Sequence, residues 1–303
     1  MARGMRNLLP ALALVAAPAV AQTGTIHFAA FGDFGNGIGA NAVADLVKSR
    51  SPDFIVSVGD NCYGGSLKPI SAQVGNKYAA FVDSGRFWSA LGNHEYTDGC
   101  GGPNAVNYFA YFTLPNNERY YDFVSGPVHF FVLNSNGFGR EPDGRTPTSI
   151  QGEWLKARLA ASTAPWQVVV FHHPSYSSGK HGSSEAMRWP FEAWGADAIL
   201  TGHDHSYERI VRDDNADGVK LPYFVTGLGG QPPRSLTRQP VAGSQIFYAG
   251  ANGELFVTAS STAMSFEFRN TSGTVIDSYS LSAGSIATKA KPASGPFQWK
   301  VCC

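Results

Sequence analysis

The chain has 303 residues, 43% of them hydrophobic, with 23 Lys+Arg against 23 Asp+Glu and a formal charge of zero. Balanced charge excludes a dedicated nucleic-acid binder, which needs excess cations against phosphate, and the apolar fraction excludes a disordered chain. Only 15% of residues are charged while 34 are Gly and 18 are Pro, the composition of a loop-rich protein rather than a helical bundle.

In chain order, residues 1–21 read as a secretory signal peptide. Arg3 and Arg6 supply the positive start, and Leu8 to Val20 the apolar stretch, interrupted by Pro10 and Pro18. Ala19-Val20-Ala21 gives the small-residue cleavage pattern, so cleavage is expected after Ala21. The stretch is too short and too Pro-broken to span a bilayer. A secreted or periplasmic location without stable membrane insertion is expected, the alternative being a membrane anchor or a buried N-terminal helix.

A single domain over 22–282 is expected to follow. Strand-like runs at Ile26 to Phe31, Phe54 to Val58, Phe87 to Leu91, Val128 to Leu133, Trp166 to Phe171 and Ala198 to Leu200 alternate with helical patterns near Ala40 to Arg50, Ala72 to Val82 and Gln151 to Ala161. The alternation predicts a largely parallel α/β core. Residues 221–281 read as short strands with turn signals, able to complete a second sheet of the same domain. Residues 283–303, rich in Ser, Ala, Lys and Pro, read as a poorly ordered tail. Cys62, Cys100, Cys302 and Cys303 suit an oxidising compartment and allow three pairings.

The chemistry lies at the strand ends. Five runs finish in a metal-binding residue, usually beside Gly: Gly32-Asp33, Gly59-Asp60, Gly92-Asn93-His94, Phe171-His172 and Gly202-His203-Asp204-His205. Carboxyl ends of strands in an open α/β sheet form its ligand crevice, so these residues converge on one focus. Carboxylate, carboxamide and imidazole donors suit Fe, Zn or Mn, and Asp60 is the natural bridge, one oxygen to each of two ions. Gly before each ligand is expected to let the backbone turn. Gly35-x-Gly37-x-x-Ala40 imitates a dinucleotide fingerprint and Asp33-Phe34-Gly35 a kinase triplet, but neither has its required context. His27, His129 and His173 lack a partner pattern and read as structural or surface residues.

The ordered motifs Gly32-Asp33-Phe34-Gly35, Gly59-Asp60-Asn61-Cys62-Tyr63, Gly92-Asn93-His94-Glu95, Val169-Val170-Phe171-His172 and Gly202-His203-Asp204-His205 resemble those of the purple acid phosphatases, within the calcineurin-like metallophosphoesterases. The resemblance covers roughly residues 25–281 and points to the small, single-domain, tartrate-resistant-like type. It implies a sandwich of two mixed β-sheets flanked by helices. It implies that Asp33, Tyr63 and His205 hold Fe(III), that Asn93, His172 and His203 hold a divalent Fe, Zn or Mn, and that Asp60 bridges them. Most metallophosphoesterases begin D-x-H; here Gly35 stands in place of that His, and Tyr63 takes over as ligand. His94 then faces the substrate, and His181 is a second substrate-facing candidate in a Gly/Ser-rich loop.

The implied activity is hydrolysis of small-molecule phosphate monoesters, hydroxide attacking phosphorus in line with the leaving alkoxide. A secreted phosphodiesterase or nucleotidase, or a catalytically silent metal- or phosphate-binding module, is the alternative. A Rossmann oxidoreductase is the further competitor, to be recognised by nicotinamide binding without metal dependence. The substrate rim is expected at 97–118, 136–148, 175–190 and 228–248. Because Cys62 lies between Asp60 and Tyr63, and Cys100 five residues beyond Glu95, both on loops leaving neighbouring strand ends, a Cys62–Cys100 bridge is the favoured pairing over two buried free thiols.

Overall fold

A computed structural model describes residues 24–64, 69–137 and 139–283; the expected leader and, apart from Ala283, the expected tail with Cys302 and Cys303 lie outside the described residues. One sheet holds β1 (Ile26–Phe31), β2 (Phe54–Ser57), β3 (Phe87–Ser89), β11 (Gly253–Ala259), β12 (Ala263–Asn270) and β13 (Val275–Ser282), in the order β13-β12-β11-β1-β2-β3. The other holds β4 (Tyr121–Ser125), β5 (Val128–Val132), β6 (Trp166–Val170), β7 (Ala198–Thr201), β8 (Tyr207–Arg212), β9 (Leu221–Thr226) and β10 (Ser244–Tyr248), in the order β10-β8-β9-β7-β6-β5-β4. Both sheets are mixed. β1-β2-β3 and β5-β6-β7-β9 run parallel, while the flanking strands pair antiparallel.

Alternation along each strand assigns residues to layers. Phe130, Val168, Val170, Leu200 and Phe224 point into the space between the sheets, whereas Phe131, Val169, Phe171, Ile199 and Tyr223 point to the outer face. Aromatic rings tie the sheets together: Phe130 meets Phe28 edge-on at 5.1 Å and Phe54 at 5.6 Å, and Phe224 stacks on Phe266 at 4.5 Å. Helices α1 (Ala40–Arg50) and α2 (Ile70–Asp83) belong with the first sheet, Tyr78 packing on Phe31 at 5.4 Å. A short α3 (Val106–Tyr111) contacts α2. Helix α4 (Ile150–Ala161) starts where Ser149 Oγ accepts the Gly152 amide at 3.2 Å, and it buries Leu155 and Leu159 on the outer face of the second sheet.

One expectation needs correction: the core is parallel only at its centre, because β4, β8 and β10 to β13 all pair antiparallel. The last third does complete the second sheet, through β9 and β10, and it also supplies β11 to β13 to the first, closing the sandwich. None of the described helices is long and apolar enough to cross a membrane.

Candidate metal centre

Loops after β1, β2 and β3 in one sheet and after β6 and β7 in the other gather all seven expected donors. Gly was expected to make the turns; of the Gly residues preceding ligands Gly59 does so, with φ 100°, and three ligands themselves also turn the chain. Asp33, Asp60 and His203 have φ of 58°, 55° and 71°, left-handed values that cost a non-Gly residue about 1 kcal/mol or more. The Gly residues serve close approach: a Cβ on Gly92 would lie 2.1 Å from Asp60 Oδ1. Backbone amides then aim the carboxylates, His203 N donating to Asp33 Oδ2 at 2.9 Å and His94 N to Asp60 Oδ1 at 2.8 Å.

Two donor sets result, meeting at Asp60. Tyr63 Oη lies 3.3 Å from Asp33 Oδ1, 3.2 Å from Asp60 Oδ2 and 3.3 Å from His205 Nε2. On the other side His172 Nε2 lies 3.3 Å from Asp60 Oδ2 and 3.2 Å from Asn93 Oδ1, and the His203 ring is 5.0 Å from the His172 ring. Ligands at about 2.1 Å from one ion are about 3.0–3.4 Å apart at octahedral or tetrahedral angles, and these separations fall there. The residues therefore fit a cation on each side. Asp60 Oδ1 is taken by the His94 amide, so Oδ2 alone faces both sets, not one oxygen to each.

Outer hydrogen bonds set the tautomers. His172 Nδ1 donates to Val58 O at 2.9 Å and His205 Nδ1 to Pro232 O at 3.3 Å, leaving each Nε2 free to coordinate. Burial holds His205 down at about 4, helped by Arg234, and burial with the neighbouring His172 and His173 holds His203 far below its ordinary value. His172 goes the other way. Burial opposes its charge, but Asp60 outweighs this and raises it to about 9, so a cation arriving there displaces a proton. Burial and the Asp60 and Asp33 carboxylates push the Tyr63 hydroxyl up.

His94 rests on Tyr63 with ring centroids 4.0 Å apart, its Nε2 4.0 Å from Asp60 Oδ2 and its side chain 35% exposed. His181 is exposed, has its ring 4.3 Å from that of His203 at a 33° tilt, and accepts from Arg234 Nη1 at Nε2 (2.5 Å). Three further residues belong to this region. Buried Glu95 accepts the amides of Gly92, Asp60, Asn61 and Cys62 at 2.6–3.1 Å, clamping the β2 and β3 loops together; burial and Asp60 raise it to about 7. The expected Cys62–Cys100 disulfide crosses the same loops, Cα–Cα 5.7 Å.

His173, read from sequence as structural or surface, has its ring 4.5 Å from His203 and a donor nitrogen within 4.8 Å of those of His172 and His203. Its Nδ1 meets Ser135 Oγ at 2.9 Å and burial depresses it to about 3. Adjacency to His172 was its only sequence signal. Arg234, unremarked in the sequence, donates its amide to His205 O at 2.9 Å. His27 and His129 are held by Thr258 and by Asp122 with Ser162.

This fold and donor set define a metallophosphoesterase. The chain belongs to the calcineurin-like phosphoesterase family, which it matches over residues 26–207. It is 28% identical over 229 residues to purple acid phosphatase 22 of Arabidopsis thaliana, covering 69% of this chain and 51% of that protein. It is 26% identical over 310 residues to tartrate-resistant acid phosphatase type 5 of Homo sapiens, covering 88% and 92%. The chain thus spans about half the length of the plant relative and nearly all of the human one. Among solved structures, purple acid phosphatase PPD1 from yellow lupin (Lupinus luteus) seeds has a TM-score of 0.75 at 20% identity, covering 94% of this chain and 58% of that one, a likeness of fold.

Proposed function

We propose that this protein is an exported acid phosphatase that hydrolyses small phosphate monoesters at a centre of two cations. The observation that carries the reading is the pair of donor sets sharing Asp60 Oδ2, with Tyr63 on one side and His172 on the other. In this reading Asp33, Tyr63 and His205 hold Fe(III), Asn93, His172 and His203 hold a divalent Fe, Zn or Mn, and Asp60 serves both. Cations there supply Lewis acidity toward the phosphoryl group and a nucleophile at neutral pH or below.

The rest falls to side chains of the chain. His94, between the centre and solvent, gives a proton to the leaving alkoxide or neutralises its charge. Arg234, beside His181 and His205, orients the phosphate charge. His181 Nε2 is occupied by Arg234, so His181 acts mainly by positioning that guanidinium. The leader delivers the protein to an oxidising compartment, as the Cys62–Cys100 bridge requires; the exported chain is expected to begin at Gln22 on N-terminal sequencing.

Phosphate monoesters and diesters assayed on the metal-loaded protein across acidic to neutral pH test the reading. Monoesters should be preferred. A preference for diesters points to a phosphodiesterase, and no turnover with both metals bound points to a silent metal-binding module. Tyr63→Phe should abolish any visible charge-transfer band of the iron-loaded protein; a coloured wild type whose variant keeps the band removes Tyr63 from the ligand set.

A further inference from the structure

At the end of β8 remote from His205, the turn into β9 reads Asp213-Asp214-Asn215-Ala216-Asp217-Gly218. Acid, amide and acid at alternate positions, followed by Gly, is the spacing of a calcium loop, with the Gly at its sharp turn. Gly218 has φ +85°. Asp213 accepts the amides of Asp217 and Gly218, each at 3.0 Å, which curls the turn around its own carboxylates.

The loop has no glutamate at the distal position of such motifs. Glu192, from the segment ahead of β7, stands there instead. It is only 5% exposed. One oxygen, Oε2, accepts the Asp214 amide at 2.8 Å, while Oε1 is buried without a hydrogen-bond partner. Carboxylate oxygens of Glu192, Asp213 and Asp217 lie within 4.8 Å of one another, about the span across one Ca²⁺ ion with ligands at 2.3–2.6 Å. A buried carboxylate oxygen beside two other acids is costly to leave unpaired. The nearby guanidiniums are engaged elsewhere, Arg212 by Asp214 at 2.6 Å and Arg209 by Asp277 at 2.7 Å.

We propose that Glu192, Asp213 and Asp217, with the amide oxygen of Asn215, form a Ca²⁺ site separate from the metal centre, stapling the β8–β9 turn to the segment that leads into β7. The donors are all oxygen, which selects a hard cation over zinc, and their loop is larger and more adaptable than Mg²⁺ favours.

Calorimetric titration of CaCl₂ into the full-length protein, dialysed free of calcium, tests this together with thermal melting. One Ca²⁺ should bind with Kd of about 10⁻⁴ M or tighter, and a hundredfold excess over Kd should raise Tm by about 5 °C, MgCl₂ giving far less. Glu192→Gln and Asp217→Asn should each weaken binding about tenfold or more. Asp217 is exposed, so Asp217→Asn keeps the test readable if Glu192→Gln misfolds. Absence of binding at millimolar Ca²⁺, or an unchanged Kd in Asp217→Asn, overturns the proposal.

Discussion

His94 and Glu254 illustrate two fates of an ionisable group in this protein. His94 sits between the donor sets and solvent; burial lowers its pKa while Asp60 pulls it back up. If its work is on substrate, His94→Ala should cut kcat by about 10²-fold or more with both metals retained, checked by steady-state kinetics beside elemental analysis. Metal loss in step with activity would instead make it a structural support of the centre. Glu254, on β11, is wholly buried with both carboxylate oxygens unpartnered, and burial raises its pKa well above the ordinary value. Since the unfolded chain ionises Glu254 first, the contribution of Glu254 to stability is full below about pH 4.5 and falls as pH rises toward its folded-state pKa. Glu254→Gln should therefore gain on the wild type by up to about 1.4 kcal/mol per pH unit across that window, read from urea unfolding at several pH values. Parallel stability curves would contradict this.

At the scale of elements, the centre is made by loops, and two ties hold the loops after β2 and β3 together: the Glu95 clamp and the Cys62–Cys100 bridge. Replacing both cysteines by Ser should cost roughly 3–4 kcal/mol in the chain-entropy account, measured by denaturant unfolding under non-reducing conditions. Stability equal to the wild type would leave Glu95 as the sufficient tie. The central strands were legible because a strand buried on both faces is a continuous apolar run that must end at a polar loop, as Phe54–Ser57 does before Gly59-Asp60. β4 and β8 were not. Tyr121–Ser125 alternates weakly, and Tyr207–Arg212 carries three charged residues, two of which have partners distant in sequence: Glu208 takes Ser178, and Arg209 takes Asp277. The left-handed turns at Asp33, Asp60 and His203 were likewise hidden, because the adjacent Gly residues supplied the simpler explanation.

For the molecule as a whole, the parallel centres of two sheets present their carboxyl ends to one rim, and the antiparallel strands of the last third close the sandwich behind it. Ordered motifs exposed the ligand types, but the surroundings of the centre required three dimensions: nothing in the sequence brings Arg234 to His181, or His173 to His203. The account depends on Asp60 standing between two cation sites through one oxygen. Elemental analysis of purified wild type and Asp60→Asn, with phosphate monoester turnover measured on the same samples, tests that most directly. Two transition-metal ions per active wild-type chain, both depleted together with most of the activity in Asp60→Asn, is the predicted result; an inactive Asp60→Asn that keeps two ions at full occupancy would contradict it.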